Sequence, residues 1–187
     1  MSLPHCEPKH LMANQPLGAL LLYSTASMTQ VLSIIHQQNL RADVISHQKV
    51  KEIPEAYKEM YKGNTNDFSY RQANLMIDNY SMITPVIYAT TLFINHNLDP
   101  EIKSSLENTN IPIGKILEER EWEVHRKILD VSVMPAGMNE SYSVVLQDQK
   151  DRVVRKIYQI SSQRQPICII AEHFSVHYLE NVNKSWS

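Results

Sequence analysis

The sequence predicts an α+β fold with a mainly antiparallel sheet. Two apolar runs flank the polar turn Ser161-Ser162-Gln163-Arg164-Gln165, which is the pattern of a β-hairpin. Two further runs, YRQANLMI and TPVIYATTLFI, read as a strand pair across DNYSM. The helical patterns lie elsewhere in the chain, and strands joined by hairpins with helices grouped apart are typical of the α+β class.

Four segments carry helical signals. LGALLLYS suits a short buried helix, and SMTQVLSIIHQQ suits a second one, in which Ser27 and Gln30 fit an S-x-x-Q capping box. In NLDPEIKSSLENTN, Asp99 stands at the cap position and Pro100 at the first helical position. NIPIGKILEER starts a fourth helix, with Pro112 near its first turn.

The remaining segments complete a single domain. RADVISHQKVKEI reads as a half-exposed strand, and WEVHRKILDVSVM as a strand that is followed by the loop PAGMNESYS. We expect a flexible N-terminal arm over residues 1–13, one domain over 14–179 and a frayed polar tail over 180–187. Neither an internal repeat nor a linker divides the chain.

Composition limits the class of protein. The 187 residues are 43% hydrophobic and 20% charged, as expected for one soluble domain with a sizeable core. A net charge of -2 without a basic run argues against a nucleic-acid partner. The apolar run LGALLLY is far shorter than the roughly 18 residues of a membrane span, and no secretory signal is expected. Cys6 and Cys168 make no disulfide framework, which favours a reducing cytoplasm.

Glu172 is the first candidate for chemistry. Side chains alternate along a strand, so Glu172 shares a face with Ile170 and Phe174, and both faces of this strand are largely apolar. One interpretation is a carboxylate at a strand end that reaches water, because glutamate is rarely buried without a partner. The other is a buried acid with a raised pKa that can hold or donate a proton.

Arg71 is the second candidate. In YRQANLMI it shares its face with Ala73, Leu75 and Ile77, which is the apolar face of the strand. An arginine on the core side of a sheet needs an anionic partner. That partner is either a glutamate of the protein or the carboxylate of a ligand.

Two helix starts are compatible with the same kind of ligand. Free N–H groups and the positive end of the helix dipole make a helix N-terminus an anion site. One such start is at Ser27-Met28 and the other at Pro112-Ile113-Gly114, where Gly114 would allow close approach to the backbone. The more common explanation for either position is an ordinary capped helix start.

Other chemistries find little support. His173 and His177 are four residues apart in HFSVH, about 13 Å along a strand, which is too far for two ligands of one metal ion. The sequence has no HExxH, no CxxC pair, no GxGxxG and no GxxxxGK(S/T). We therefore expect neither a metal site nor a phosphate-binding loop.

Four segments in this order resemble the chorismate lyase family: LLYSTASMTQVL (21–32), YRQANLMI (70–77), NIPIGKIL (110–117) and RKIYQISSQRQPICIIAEHF (155–174). The family pattern is an S-M-T helix start, an arginine in the second strand, a P-L/I-G helix start, and a Q-P or K-P hairpin that ends in T/A-E. The order and rough spacing match from about residue 17 to 176. Tyr158 stands where relatives often carry a second basic residue.

The resemblance implies a single α+β domain: a six-stranded antiparallel sheet, with helices over one face and an enclosed ligand cavity. It also implies cofactor-independent and metal-free conversion of chorismate to 4-hydroxybenzoate and pyruvate, driven by aromatisation of the ring. The product would be a precursor of a quinone or a phenolic lipid.

The family's ligand contacts correspond to Met28, Arg71, Ile113 and Glu172. By the same resemblance, Arg71 pairs with the ring carboxylate. Backbone amides near Met28 and Ile113 bind oxygens of substrate or product, and Glu172 hydrogen-bonds the ring hydroxyl and serves as the acid.

The alternative is a ligand-binding module without catalysis. The same fold resembles the effector domain of some bacterial transcription regulators. That interpretation expects a winged-helix DNA-binding domain at the N-terminus, and residues 1–16 are too few for one. A purely structural protein is a third alternative, but it gives no reason for Arg71 on an apolar face.

Overall fold

The chain folds around one antiparallel sheet. The structure, a computed structural model, describes residues 15–63, 65–79, 82–134 and 152–182. The strands are β1 (Leu40–Val50), β2 (Phe68–Asn79), β3 (Met82–Ile94), β4 (His125–Met134), β5 (Val153–Ser162) and β6 (Gln165–Ser175). They lie in the order β1-β2-β3-β6-β5-β4, and every neighbouring pair is antiparallel. The predicted α+β class and six-stranded antiparallel sheet are confirmed.

The β5–β6 hairpin has a tighter turn than the sequence indicated. Strand β5 continues through Ser162 and β6 begins at Gln165, so only Gln163 and Arg164 join them. Both residues have positive φ angles, 49° and 67°. Two-residue hairpin turns of this kind match the twist of the strands, and usually contain Asn or Gly. Because this turn contains neither Asn nor Gly, the sequence predicted a hairpin but not the length of its turn.

The helices connect and cover the strands. They are α1 (Pro16–Tyr23), α2 (Met28–His36), α3 (Glu55–Lys58), α4 (Pro100–Asn108), α5 (Ile113–Glu119) and α6 (Val176–Asn181), with a 3₁₀ turn at Asn95–Asn97. Helices α1, α2, α4 and α5 correspond to the four predicted helices. The extended conformation expected for HFSVH is wrong beyond Ser175, because the Ser175 side chain accepts a hydrogen bond from the Tyr178 N–H and caps α6.

Of the two helix-capping predictions, one is confirmed and the other is wrong. Asp99 accepts hydrogen bonds from the N–H groups of Glu101 and Ile102, as its position before Pro100 indicated. The capping box at Ser27 and Gln30 is wrong, since the Ser27 side chain makes no cap hydrogen bond. Gln30 instead donates its side-chain amide to Glu118 of α5 at 2.7 Å.

The sheet has two differently covered faces. The cavity face, which carries Arg71 and Glu172, packs against apolar residues of α1, α2, α4 and α5. The outer face packs on Tyr57 of α3, which contacts a cluster that includes Leu92, Ile157 and Ile169. The predicted placement of helices over one face is confirmed, with the short helix α3 added on the other.

The domain limits of the sequence analysis stay predictions. The proposed arm over residues 1–13 and the loop from Pro135 lie outside the described residues. At the other end, α6 runs to Asn181 and Val182 is buried, so ordered structure continues three residues past the expected limit of Leu179. None of the described helices is both long enough and apolar enough to cross a membrane.

Candidate active site

A cavity lies between the cavity face of the sheet and the first turns of α2 and α5. It contains about 560 Å³ of space without protein atoms, part of it continuous with solvent. The four residues that the family resemblance singles out all line this one cavity: Met28, Arg71, Ile113 and Glu172.

Arg71 projects into the cavity from β2. It is 2% exposed and donates to the backbone carbonyls of Leu106, Thr109 and Ile111 at 3.3–3.4 Å. Burial lowers the pKa of Arg71 to about 10, so the guanidinium stays charged at neutral pH. Among the described residues no carboxylate lies within ion-pair distance of it. Of the two partners expected for Arg71, a glutamate of the protein is therefore not found in the described part of the chain.

Glu172 enters the cavity from β6 and is 3% exposed. Tyr158 on β5 donates its hydroxyl hydrogen to Glu172 Oε1 at 2.8 Å. Glu172 Oε2 has no hydrogen-bond partner in the described part of the molecule. Burial raises the pKa of Glu172, and the positive charges of Lys156 and Arg126, together with the Tyr158 hydrogen bond, oppose that shift only in part. Of the two interpretations of this residue, the exposed strand end is wrong, because the side chain is buried, and the role of Glu172 as a proton donor stays a prediction.

Lys156 faces Glu172 directly across the β5–β6 pair. It is 2% exposed and donates to the carbonyls of Leu21 and Ser24, both at 2.9 Å. These carbonyls belong to the end of α1, where a cation is favoured by the helix dipole. Lys156 therefore ties the α1–α2 connection to the sheet beside the acid.

The two helix starts meet at the cavity wall. Ser27, Met28 and Thr29 line it from α2, and Pro112, Ile113 and Gly114 line it from α5. A Cβ atom on Gly114 would lie 2.6 Å from Ser27 Oγ, so glycine is needed here for close packing of the two helix starts. This differs from the expected reason, which was room for a ligand. The Ser27 hydroxyl is buried and has no partner within the described residues.

Three residues of the site were not singled out for chemistry by the sequence analysis. Tyr158, Arg126 and Lys156 lie near Glu172, and the first two also line the cavity. Tyr158 and Lys156 share a face with Glu172 once the hairpin register is known. Because that register depends on the turn length, the sequence alone did not bring them together.

His173, His177 and Cys168 are not among the residues that line the cavity. No group of three or more His, Cys, Asp and Glu side chains in the described ranges is arranged to hold a metal ion. His173 is on the outer face, and His177 is exposed on α6. Burial raises the pKa of the Cys168 thiol to about 12, so it is not an activated nucleophile.

The fold and the site together define a small-molecule-binding α+β domain with a buried arginine and a buried acid in its cavity. The chain belongs to the Rv2949c-like chorismate pyruvate-lyase family, whose sequence model matches residues 22–183. It is 28% identical over 162 residues to a protein of Methanocaldococcus jannaschii named "Putative lyase MJ0807", a match that covers 84% of this chain and 77% of that protein.

Solved structures with the same fold have low sequence identity. The gene product SA0254 from Staphylococcus aureus matches with a TM-score of 0.59 at 9% identity, over 83% of this chain and 92% of that one. The effector domain of PhnF from Mycobacterium smegmatis matches with a TM-score of 0.58 at 11% identity, over 81% and 90%. A second PhnF structure from the same organism matches over 82% of this chain and 65% of its own chain. This chain therefore shares its fold with the effector domain of PhnF.

Proposed function

We propose that the protein is a chorismate lyase that converts chorismate to 4-hydroxybenzoate and pyruvate. The observation that carries the proposal is that the cavity is lined by a buried cation and a buried acid, each with a binding partner missing within the described ranges. Arg71 is a buried cation without a carboxylate partner in the described residues, and Glu172 is a buried acid with one unpaired oxygen. A ring with a carboxylate and a hydroxyl group supplies what both side chains lack. Membership of a chorismate pyruvate-lyase-like family supports the same choice.

The reaction requires the protein to bind the substrate and to support the movement of protons. The bond between the ring and the enolpyruvyl ether oxygen breaks, and the neighbouring ring carbon, which carries the hydroxyl, loses its hydrogen. The ring becomes aromatic, and the enolpyruvate takes up a proton at its methylene carbon to become pyruvate. One proton is lost and one is gained, so the reaction balances without an oxidant or a reductant. The site accelerates it by orienting the substrate and excluding water.

Arg71 binds the ring carboxylate in this proposal. Its hydrogen bonds to three carbonyls use only part of its five N–H donors and hold the guanidinium in place. A carboxylate then accepts charge-assisted hydrogen bonds from the remaining donors. Burial makes this contact stronger than it would be in water.

Glu172 hydrogen-bonds the ring hydroxyl and acts as the general acid. Its raised pKa favours the protonated carboxyl that this role requires. Tyr158 holds Oε1, which leaves Oε2 for the substrate. Amides of the first turns at Met28 and Ile113 bind further substrate or product oxygens, since the first N–H groups of a helix have no partner within the helix.

The second candidate is a ligand-binding domain that does not turn its ligand over. The match to the effector domain of PhnF supports it, because that relative shares the fold over most of both chains. In that case Arg71 and Glu172 bind a small aromatic or aliphatic anion and no reaction follows.

Incubation of the purified protein with chorismate separates the two candidates. We expect pyruvate, detected by coupled reduction to lactate, and 4-hydroxybenzoate, detected by absorbance, in equal amounts. A chelator is expected to leave the rate unchanged. Tight binding of 4-hydroxybenzoate without any release of pyruvate would favour the binding domain and contradict the lyase.

A further inference from the structure

Arg126 is a cation of the cavity that the proposed chemistry does not yet use. It lies on β4, the edge strand, opposite Ile160 of β5, and both residues line the cavity. The side chain is half-buried, and no hydrogen bond or ion pair holds it within the described ranges. Its charge nevertheless acts on the site, since it lowers the pKa of both Glu172 and Tyr158.

Two other arginines of the described residues are paired with a carboxylate. Arg120 forms an ion pair with Glu101, and Arg155 forms one with Asp130. Glu172 is the acid that lines the cavity together with Arg126, but it is already held by Tyr158 and lies beside Lys156. The cavity therefore contains more positive than negative charge around the acid, with Arg71 and Arg126 as the two cations that line it.

The sheet places these two cations on opposite sides of Glu172. Arg71 is on β2 and Arg126 on β4, four strands apart in the sheet order, and Glu172 on β6 lies two strands from each. At about 4.8 Å per strand, the two arginine backbones are on the order of 20 Å apart. Both long side chains line the space over the strands between them, so an anion at each end and a polar group at the centre match this arrangement.

We propose that Arg126 binds the second carboxylate of a dianionic ligand, so that the cavity distinguishes a dicarboxylate from a monocarboxylate. With chorismate this second group is the carboxylate of the enolpyruvyl arm, and the identification of that substrate rests on the proposed function. Release of pyruvate removes this group, and 4-hydroxybenzoate keeps only the carboxylate at Arg71. Arg126 therefore makes substrate bind more tightly than product without making release of the product slower.

The test uses two unreactive ligands that differ at one group. The first is 3-(1-carboxyethoxy)benzoate, a dicarboxylate, and the second is 3-isopropoxybenzoate, in which a methyl group replaces the second carboxylate. Calorimetry gives the affinity ratio of the two for the wild-type protein, for Arg126→Met and for Arg126→Lys. Lys127→Met is the matched control, because Lys127 is exposed, follows Arg126 on the same strand and points to the other face.

Wild-type protein is expected to prefer the dicarboxylate, and Arg126→Met to lower that preference by about 10- to 100-fold, as for a lost charge-assisted hydrogen bond. Arg126→Lys is expected to restore part of it, and Lys127→Met to keep the wild-type ratio. Loss of stability is not expected to obscure the result, because Arg126 has no hydrogen bond in the described residues to lose. Thermal unfolding of each variant checks this.

The outcomes distinguish this proposal from the lyase assignment. An enzyme that releases pyruvate from chorismate but keeps its ligand ratio in Arg126→Met would overturn the role of Arg126 alone. A protein inactive on chorismate whose ratio still depends on Arg126 would overturn the lyase assignment alone. A wild-type protein without any preference for the dicarboxylate would also overturn the role of Arg126.

Discussion

The two faces of the sheet differ in the hydrogen-bond partners of their buried polar side chains. On the outer face, the Tyr57 hydroxyl is hydrogen-bonded to Thr90 Oγ1 at 2.5 Å, and Gln72 donates its side-chain amide to the Tyr88 hydroxyl at 2.6 Å. On the cavity face, Glu172 Oε2 is buried without a partner in the described residues. A buried polar group without a partner costs free energy, so Glu172 lowers the stability of the cavity face when no ligand is bound.

Two buried or half-buried arginines show the difference most clearly. Arg155 on the outer face pairs with Asp130 at 3.3 Å, whereas Arg71 on the cavity face contacts only carbonyl oxygens among the described residues. The outer face is not free of exceptions, since Asn74 Oδ1 and Arg155 Nε are buried there without a described partner. Asn74 is neutral, however, and the charge of Arg155 is paired with Asp130, whereas Arg71 on the cavity face has no carboxylate partner among the described residues. On the outer face the protein itself supplies the partner of the buried charge, whereas on the cavity face a ligand can supply it.

The largest effect is expected from Glu172→Gln. Glutamine keeps the shape of the side chain and can accept the Tyr158 hydrogen bond, but it has no acidic proton to donate. We expect kcat for pyruvate release to fall by about 10²- to 10⁴-fold, which is the usual contribution of general acid catalysis. The affinity for 4-hydroxybenzoate is expected to change much less, and calorimetry measures it on the same protein.

The fold of this variant has to be intact for the comparison to hold. Removal of a buried acid with an unpaired oxygen is expected to leave the free energy of unfolding unchanged or to raise it. A folded Glu172→Gln protein that releases pyruvate at the wild-type rate would show that the acid has no part in the chemistry.

A smaller effect comes from the two arginines, replaced one at a time. Arg71→Met is expected to weaken 4-hydroxybenzoate binding by about 10- to 100-fold, because a hydrogen bond between charged groups in a buried site is lost. Arg155→Met, which removes the same charge from the outer face, is expected to leave this affinity unchanged and to lower stability by about 1 kcal/mol or less. Equal loss of affinity in both variants would mean that overall charge, and not the cavity, binds the ligand.

The sequence predicted the parts of the site that depend on parity within one strand. Arg71 and Glu172 stood out because each places a charge on an apolar face, and this anomaly needs only the alternation of side chains. Met28 and Ile113 were found from the two helix starts and from the family motifs, and their roles stay predictions. What lies opposite Glu172 depends on strand register, which the two-residue turn at Gln163 sets.

The missed elements have a related explanation. Helix α3 spans only Glu55–Lys58, too short for its periodicity to be recognised. At Ser27, the Gln30 side chain that would complete the capping box bonds instead to Glu118, which is 88 residues away along the chain. Arg126 was not noticed, since WEVHRKILDVSVM alternates too weakly to assign its faces. Of these misses, only that of Gln30 depends on a contact between distant segments, and the other two reflect weak local patterns.

The smallest predicted effect is on the pH dependence of stability, where Glu172 and its neighbour His173 act in opposite directions. Burial raises the pKa of Glu172, so the unfolded chain loses this proton first and stability falls as pH rises through the folded-state value. Burial lowers the pKa of His173 on the outer face to about 4, so its contribution is present at neutral pH and is lost as pH falls towards that value.

Because the two contributions overlap in mildly acidic solution, the wild-type curve alone does not separate them. The difference in free energy of unfolding between wild type and Glu172→Gln does, when it is measured by urea denaturation from about pH 4 upwards. We expect Glu172→Gln to gain stability relative to wild type as pH rises from the ordinary glutamate range, and the gain to level off above the folded-state pKa. The groups that face Glu172, namely Lys156, Tyr158 and Arg126, are the same in both proteins, and so is His173. A difference that stays constant with pH would mean that folding leaves the pKa of Glu172 unshifted, which would contradict its burial as an acid. A difference that moves in favour of wild type as pH rises would mean that Glu172 is ionised and well paired in the folded protein, and the cavity face would then be as complete as the outer one.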